Sequence, residues 1–155
     1  MLMHTLDITC DQIVEAHRQR QDLHRAEKSL TLQIKAKCRR VSDGKKADAD
    51  KLYNAMFGKG DHDSALELFS VCAPFIEARS LIEAQRKQCE KQMVAMAKEL
   101  PVSAWVESVR GFGLLGLASI VGESGNLSKY SNPAKLWKRL GLAVIGGERQ
   151  QRKPK

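Results

Sequence analysis

Three groups of residues in this 155-residue chain are of types that could do chemistry. Cys10, His17, His24 and Cys38 share one position of a seven-residue repeat and are zinc-ligand types. Neighbours seven apart on a helix stand about 10 Å from each other, too far for one tetrahedral ion within a chain. Asp48, Asp50, Asp61 and Asp63, with His62 among them, have the carboxylates a metal-dependent nuclease uses. They fall at expected loop and cap positions, where capping and solvation account for them. The third group is Gly111 and Gly113, which act through the backbone. Glycine tolerates φ values that other residues resist, so a Gly-x-Gly turn bends sharply and aims its N–H groups outward. Opening a helix near Leu114, those donors suit an anion such as a nucleic-acid phosphate. The alternative is a plain helical turn in a core. No catalytic residue, metal ligand set or cofactor is expected.

The elements around the turn are helical. Val106 and Val109 make an apolar approach, and Ala118 and Val121 lie on a small-residue helix after it, the arrangement of a helix-hairpin-helix. Further on, Asn132 is a cap, Pro133 a first helical residue and Gly141 a terminator, which predicts a helix over Pro133 to Leu140. Leu136, Trp137 and Leu140 are expected to pack back on the hairpin, leaving Lys135, Lys138 and Arg139 for solvent or phosphate.

The stretch GFGLLGLASIVGESGNLSKYSNPAKLWKRLGL resembles, without gaps, the C-terminal transposase domain of the bridge-RNA-guided insertion-sequence transposases. The matching positions are Gly111, Gly113, Ala118, Glu123, Gly125, Asn126, Lys129, Tyr130, Pro133, Leu136, Gly141 and Leu142. Arg110 and Leu114 stand where that family has prolines, Asn126 where it has an acidic residue, and Ala143-Val144 where it has a Val-Pro-like pair. The family's nucleophilic serine follows the Gly-Leu, whereas no serine follows Ser131 here; Ser103 and Ser108 precede the turn. The acidic ribonuclease-H-like domain of the family has no counterpart in this sequence. The resemblance therefore implies a transposase-like scaffold without the chemistry, preceded by a coiled-coil arm used for subunit contacts.

Composition agrees with a helical, nucleic-acid-binding protein. Aromatic residues make up only 5% of the chain, which favours helix packing by Leu, Ile, Met and Ala over a sheet core. The net charge is +8. From Trp105 onward nine Lys and Arg face three Asp and Glu, so the positive field belongs to the hairpin region and tail. That asymmetry favours a polyanionic partner, with a basic surface kept for solubility as the alternative. Cys10, Cys38, Cys72 and Cys89 read as reduced core residues of a cytoplasmic protein. No apolar run reaches the roughly 20 residues of a membrane span, and the opening lacks the basic region of a signal peptide.

Upstream of the turn, Leu6, Ile13, Ala16, Leu23, Leu30, Ile34 and Val41 recur at helical spacing, diluted by His17, Arg20 and Glu27. They predict one long helix with a narrow apolar seam. The basic group Lys35, Lys37, Arg39, Arg40, Lys45 and Lys46 crosses its end, where the helix dipole accounts for part of the charge. A short helix is expected over Ala47 to Phe57, then a helix near Ser64 capped by Asp61 or Asp63. Leu68, Cys72, Phe75, Arg79, Ile82, Arg86, Cys89, Met93, Met96 and Leu100 keep a four-three alternation, interrupted only by the two arginines. Pro74 should kink that helix or start a new one, and Pro101 should end it.

The expected fold is thus all-α: an antiparallel coiled-coil arm over 1–100, a helix-hairpin-helix region over 101–145, and a flexible basic tail over 146–155. A two-helix arm is marginal alone, so homodimerisation through residues 1–100 is the default. The expected function is non-catalytic binding of DNA or RNA through Arg110, Gly111, Gly113, Lys129, Lys135, Lys138, Arg139, Arg149 and Arg152. A nucleic-acid-processing protein is a possible partner. The alternatives are a phage or mobile-element protein that inhibits a nucleic-acid enzyme or defence system, and a truncated piece of an active transposase.

Overall fold

The computed structural model describes residues 2–149. Among the described residues the architecture is all-α, with six helices: α1 (Leu2–Val41), α2 (Lys46–Met56), α3 (Ala65–Lys98), α4 (Ser103–Ser108), α5 (Leu114–Ser124) and α6 (Pro133–Arg139). A single 3₁₀ turn spans Leu127–Lys129, and two short strands follow, β1 (Val144–Ile145) and β2 (Glu148–Arg149). Among the described residues no helix is long and apolar enough to cross a membrane.

Two compact units emerge: residues 21–88, and residues 1–20 together with 89–155. This grouping differs from the sequence division at residue 100, because the N-terminal part of α1 and the C-terminal end of α3 belong with the C-terminal segment. Residues bonded over that sequence distance are the physical reason. His17 bonds Glu123, and Asp7 bonds Asn126.

In the unit 21–88, α2 supplies Ala49, Leu52 and Met56 to a core shared with Ile34 and Cys38 of α1 and Leu68 and Cys72 of α3. Glu27 meets Arg86 at 2.7 Å further along, so within this unit α1 and α3 run antiparallel. The arginines that interrupt the apolar repeat of α3 are therefore accommodated. Arg86 pairs with Glu27, while Arg79 donates to the Tyr53 hydroxyl and lies 5.5 Å from the centre of the Phe57 ring. Part of the basic group is also structural: the Lys35 ammonium sits over Tyr53 and that of Lys37 over Phe75.

Several sequence expectations are corrected here. The α1 seam stops at Cys38, since Val41 is 46% exposed and Ser42 is buried instead. Helix α3 runs through Pro74 rather than restarting there. The buried residues on its N-terminal side, Leu68 and Cys72, anchor that segment to the same core as the partly buried Phe75 and Ile76. Just before α3, His62 Nδ1 accepts from the Ser64 N–H.

In the other unit, Ile13 and Met93 are fully buried, as is Val106 of α4. Arg20 and Glu90 pair at 2.8 Å, and the Cys89 thiol donates to the Ala16 carbonyl. Helix α5 buries Leu117, Ala118 and Val121. Its small residues have a packing cause: a methyl on Gly122 would fall on Cβ and Cγ of His17. Residues 146–149, expected in the tail, close a hairpin in which Val144 pairs with Arg149 and Ile145 with Glu148. Gly146 and Gly147 both take positive φ, +62° and +84°, as a two-residue turn matched to strand twist requires. The rest of the expected tail lies outside the described residues.

Candidate nucleic-acid interface

Helix α4 ends at Ser108, and the chain turns through Val109–Phe112 into α5. Gly111 has φ +83° and nothing near its Cβ direction, so its requirement is conformational. Gly113 differs from expectation. As the N-cap of α5 it is extended, at φ −108° and ψ 171°, a conformation open to any residue. Of the two glycines, the turn's geometry therefore needs only Gly111. Phe112 folds its ring against Gly116, where a Cβ would come within 2.9 Å of it. The Leu117 N–H reaches the Gly113 carbonyl as a first helical bond, and Gly113 supplies no side-chain cap. The preceding N–H groups of α5 thus lack carbonyls of the helix itself, and exposed Arg110 stands within the turn, just before Gly111.

Beyond α5, the Asn126 side chain works in two directions. Its Oδ1 accepts from the Ser128 N–H, capping the 3₁₀ turn, and its Nδ2 donates to Asp7 at 2.7 Å. Lys129 Nζ pairs with the same Asp7 oxygen at 3.2 Å. Hydrogen bonding and charge from Asp7 push the Lys129 pKa up, so the ammonium stays protonated while much of its charge is locally balanced. An acidic residue at position 126 would repel Asp7 instead of donating to it. Tyr130 secures the same loop by donating to the Ser124 carbonyl.

Helix α6 forms as its sequence directs. Asn132 Oδ1 accepts from the Lys135 N–H at 3.0 Å, Pro133 opens the helix, and Gly141 closes it at φ +70°. The Leu142 N–H bonds the Trp137 carbonyl, and the Gly141 N–H bonds the Lys138 carbonyl. Together they form a Schellman cap, which characteristically folds the residue after the glycine back over the last helical turn. Of the apolar side chains expected to pack back on the hairpin, Leu136 is partly buried, whereas Trp137 and Leu140 are not. No residue of α6 is buried; Trp137 is 54% exposed and Leu140 is also exposed. Trp137 instead lines a groove of about 500 Å³ with Ala134, Leu142, Ala143 and Val144.

Lys135, Lys138 and Arg139 are all exposed on this helix. Between Glu123 and Glu148 the sequence contains no acidic residue, so the segment itself carries only positive charge. Arg149 belongs to β2 by its backbone, and Arg152 lies outside the described residues. The expected interface thus consists of a turn with Arg110 and Gly111, and a basic helix with Lys135, Lys138 and Arg139. Lys129 is engaged internally, and the conformational role of Gly113 falls away. Sequence reasoning missed the groove beside Trp137; the signal was available in the Gly141 cap followed by Leu142.

Among the described residues, no group of three His, Cys, Asp or Glu is placed to hold a metal ion. His62 and Asp48 approach to 3.5 Å as a pair. Comparison with protein-family models, curated proteins and solved structures gives no match to this chain.

Proposed function

We propose that this chain binds nucleic acid without cutting it, through the α4–α5 turn and the basic face of α6. The observation that carries the reading is the exposed α6: three exposed cations, no acidic residue on the helix, and no fully buried residue. Contacts of this kind neutralise phosphates and hold register, and base-reading side chains are few, so binding is weakly sequence-specific. The α4–α5 element acts as a helix-hairpin-helix of transposase type. The long helices act as an antiparallel coiled-coil arm. Its exposed Leu66, Phe69, Val71 and Leu81 are available to a second copy, giving a homodimer.

Purified protein should carry nucleic acid, and replacing Lys135, Lys138 and Arg139 together with Gln should release it while leaving the circular dichroism unchanged. Retention by the triple variant would remove this face from the interface. Light scattering at micromolar concentration should give the dimer mass, against which a monomer would count. A second reading, an inhibitor that docks on a nucleic-acid enzyme, is favoured by the exposed apolar side chains of α6. A specific protein partner, with no binding to naked DNA or RNA, would support it instead.

A further inference from the structure

We propose that Gln33, Lys37 and Arg40 of α1, together with Phe75 of α3, form a binding site for a phosphate monoester in the unit 21–88. The site stands apart from the α6 face and does not depend on it. Gln33, Ala36, Lys37 and Arg40 follow one another at helical spacing, so they share one face of α1. With Phe75 they line a pocket of about 210 Å³. Lys37 is already positioned there, its ammonium 4.9 Å from the centre of the Phe75 ring. The sequence has no acidic residue between Glu27 and Asp43, and none between Glu67 and Glu77, so neither helix supplies a carboxylate beside the two cations. Among the described residues neither Lys37 nor Arg40 is ion-paired. Gln33 Nε2 makes only a long bond of 3.5 Å, to Ser29 Oγ.

Helix polarity does not account for this arrangement. Arg39 and Arg40, in the last turn of α1, answer its C-terminal carbonyls. Lys37 precedes that turn, and Gln33 has no charge for the dipole to act on. The helix end carries about half an elementary negative charge, less than the two full positive charges lining the pocket. An anion is therefore the matching occupant, and the donors choose among anions. Arg40 offers a planar fork, Lys37 a point charge and Gln33 an amide N–H. A carboxylate would bring them one charge and two oxygens. A phosphate monoester brings close to two charges and three strong acceptor oxygens, one for each donor side chain. Ala36 and Phe75 form an apolar wall for the group that the phosphate esterifies. That chemistry has two sources, a small phosphate ester and the 5′-phosphate end of a nucleic-acid strand.

Calorimetric titration of the full chain with phenyl phosphate and with inorganic phosphate tests the site. Phenyl phosphate should bind, and more tightly than inorganic phosphate, because only the ester uses the apolar wall. Arg40→Gln, at an exposed position, should weaken phenyl phosphate about tenfold. Arg39→Gln, an equal loss of charge outside the pocket lining, should leave it unchanged. Dodecathymidylate with and without a 5′-phosphate separates the sources. A preference for the phosphorylated strand that Arg40→Gln abolishes assigns the site to a nucleic-acid end; phenyl phosphate binding with equal affinity for the two strands assigns it to a small ester. Failure of the parent chain to bind phenyl phosphate, or equal losses in Arg39→Gln and Arg40→Gln, would overturn the site and leave nucleic-acid binding by α6 untouched.

Discussion

Gly122 of α5 lies so close to His17 of α1 that there is no room between them for a methyl group. The obstructing atoms are Cβ and Cγ of His17, which cannot swing away as the end of a flexible side chain could. The buried imidazole is held in turn by Nε2 and Glu123 Oε1 at 3.0 Å. The small residues of α5 therefore serve helix packing, whatever the adjoining turn binds.

Gly122→Ala should accordingly destabilise the protein, by about 1–3 kcal/mol, even though alanine is the better helix former. A thermal melt measures it. A melting temperature equal to or above that of the parent would show that α1 and α5 separate freely.

Glu27 and Arg86 pair at 2.7 Å with both side chains mostly covered. Glu27→Ala takes away the carboxylate that the covered Arg86 guanidinium donates to, so it should cost about 1–3 kcal/mol. Replacing both with leucine should cost much less, because a covered ion pair spends most of its attraction on desolvation. Denaturant unfolding of the single and double variants distinguishes the two; equal losses would contradict the pairing.

Cys10, Cys38, Cys72 and Cys89 are buried, and burial pushes each thiol above its ordinary value of 9.0. Above that pH the unfolded chain releases thiol protons that the folded chain retains. Stability is therefore fully present below pH 9 and falls as pH rises from there through the folded values. Serine at all four positions should flatten that alkaline decline. Native alkylation at neutral pH should be slow at every cysteine, which a mass measurement checks; rapid labelling of any one would contradict its burial.

Much of this fold was legible in the sequence. The four-three repeat of α3 places Leu68, Cys72, Cys89 and Met93 in buried positions, because heptad spacing reports one helix face directly. Asn132, Pro133 and Gly141 bound α6 because capping is local chemistry. What escaped was long-range or compensated. The bonds from Asp7 to Asn126 and from His17 to Glu123 join residues more than a hundred apart and leave no local pattern. Helix α3 does not restart at Pro74, because a core holds the helix on both sides of it. Gly113 looked conformationally essential beside Gly111, yet the two glycines of one turn take opposite signs of φ. The cations of the candidate interface were readable as types, but which were free was not: Lys129 is paired with Asp7, whereas Lys135, Lys138 and Arg139 are exposed.

Electrostatic capture of a nucleic acid by the α6 face is tested most directly by the salt dependence of binding to a labelled oligonucleotide. Each phosphate neutralised on a single strand contributes about −0.7 to the slope of log affinity against log salt. Arg110, Lys135, Lys138 and Arg139 should together give a slope of about −3, and changing the three α6 cations to glutamine should reduce its magnitude by about 2. A parent slope near zero, or a triple variant with the parent's slope, would contradict the account.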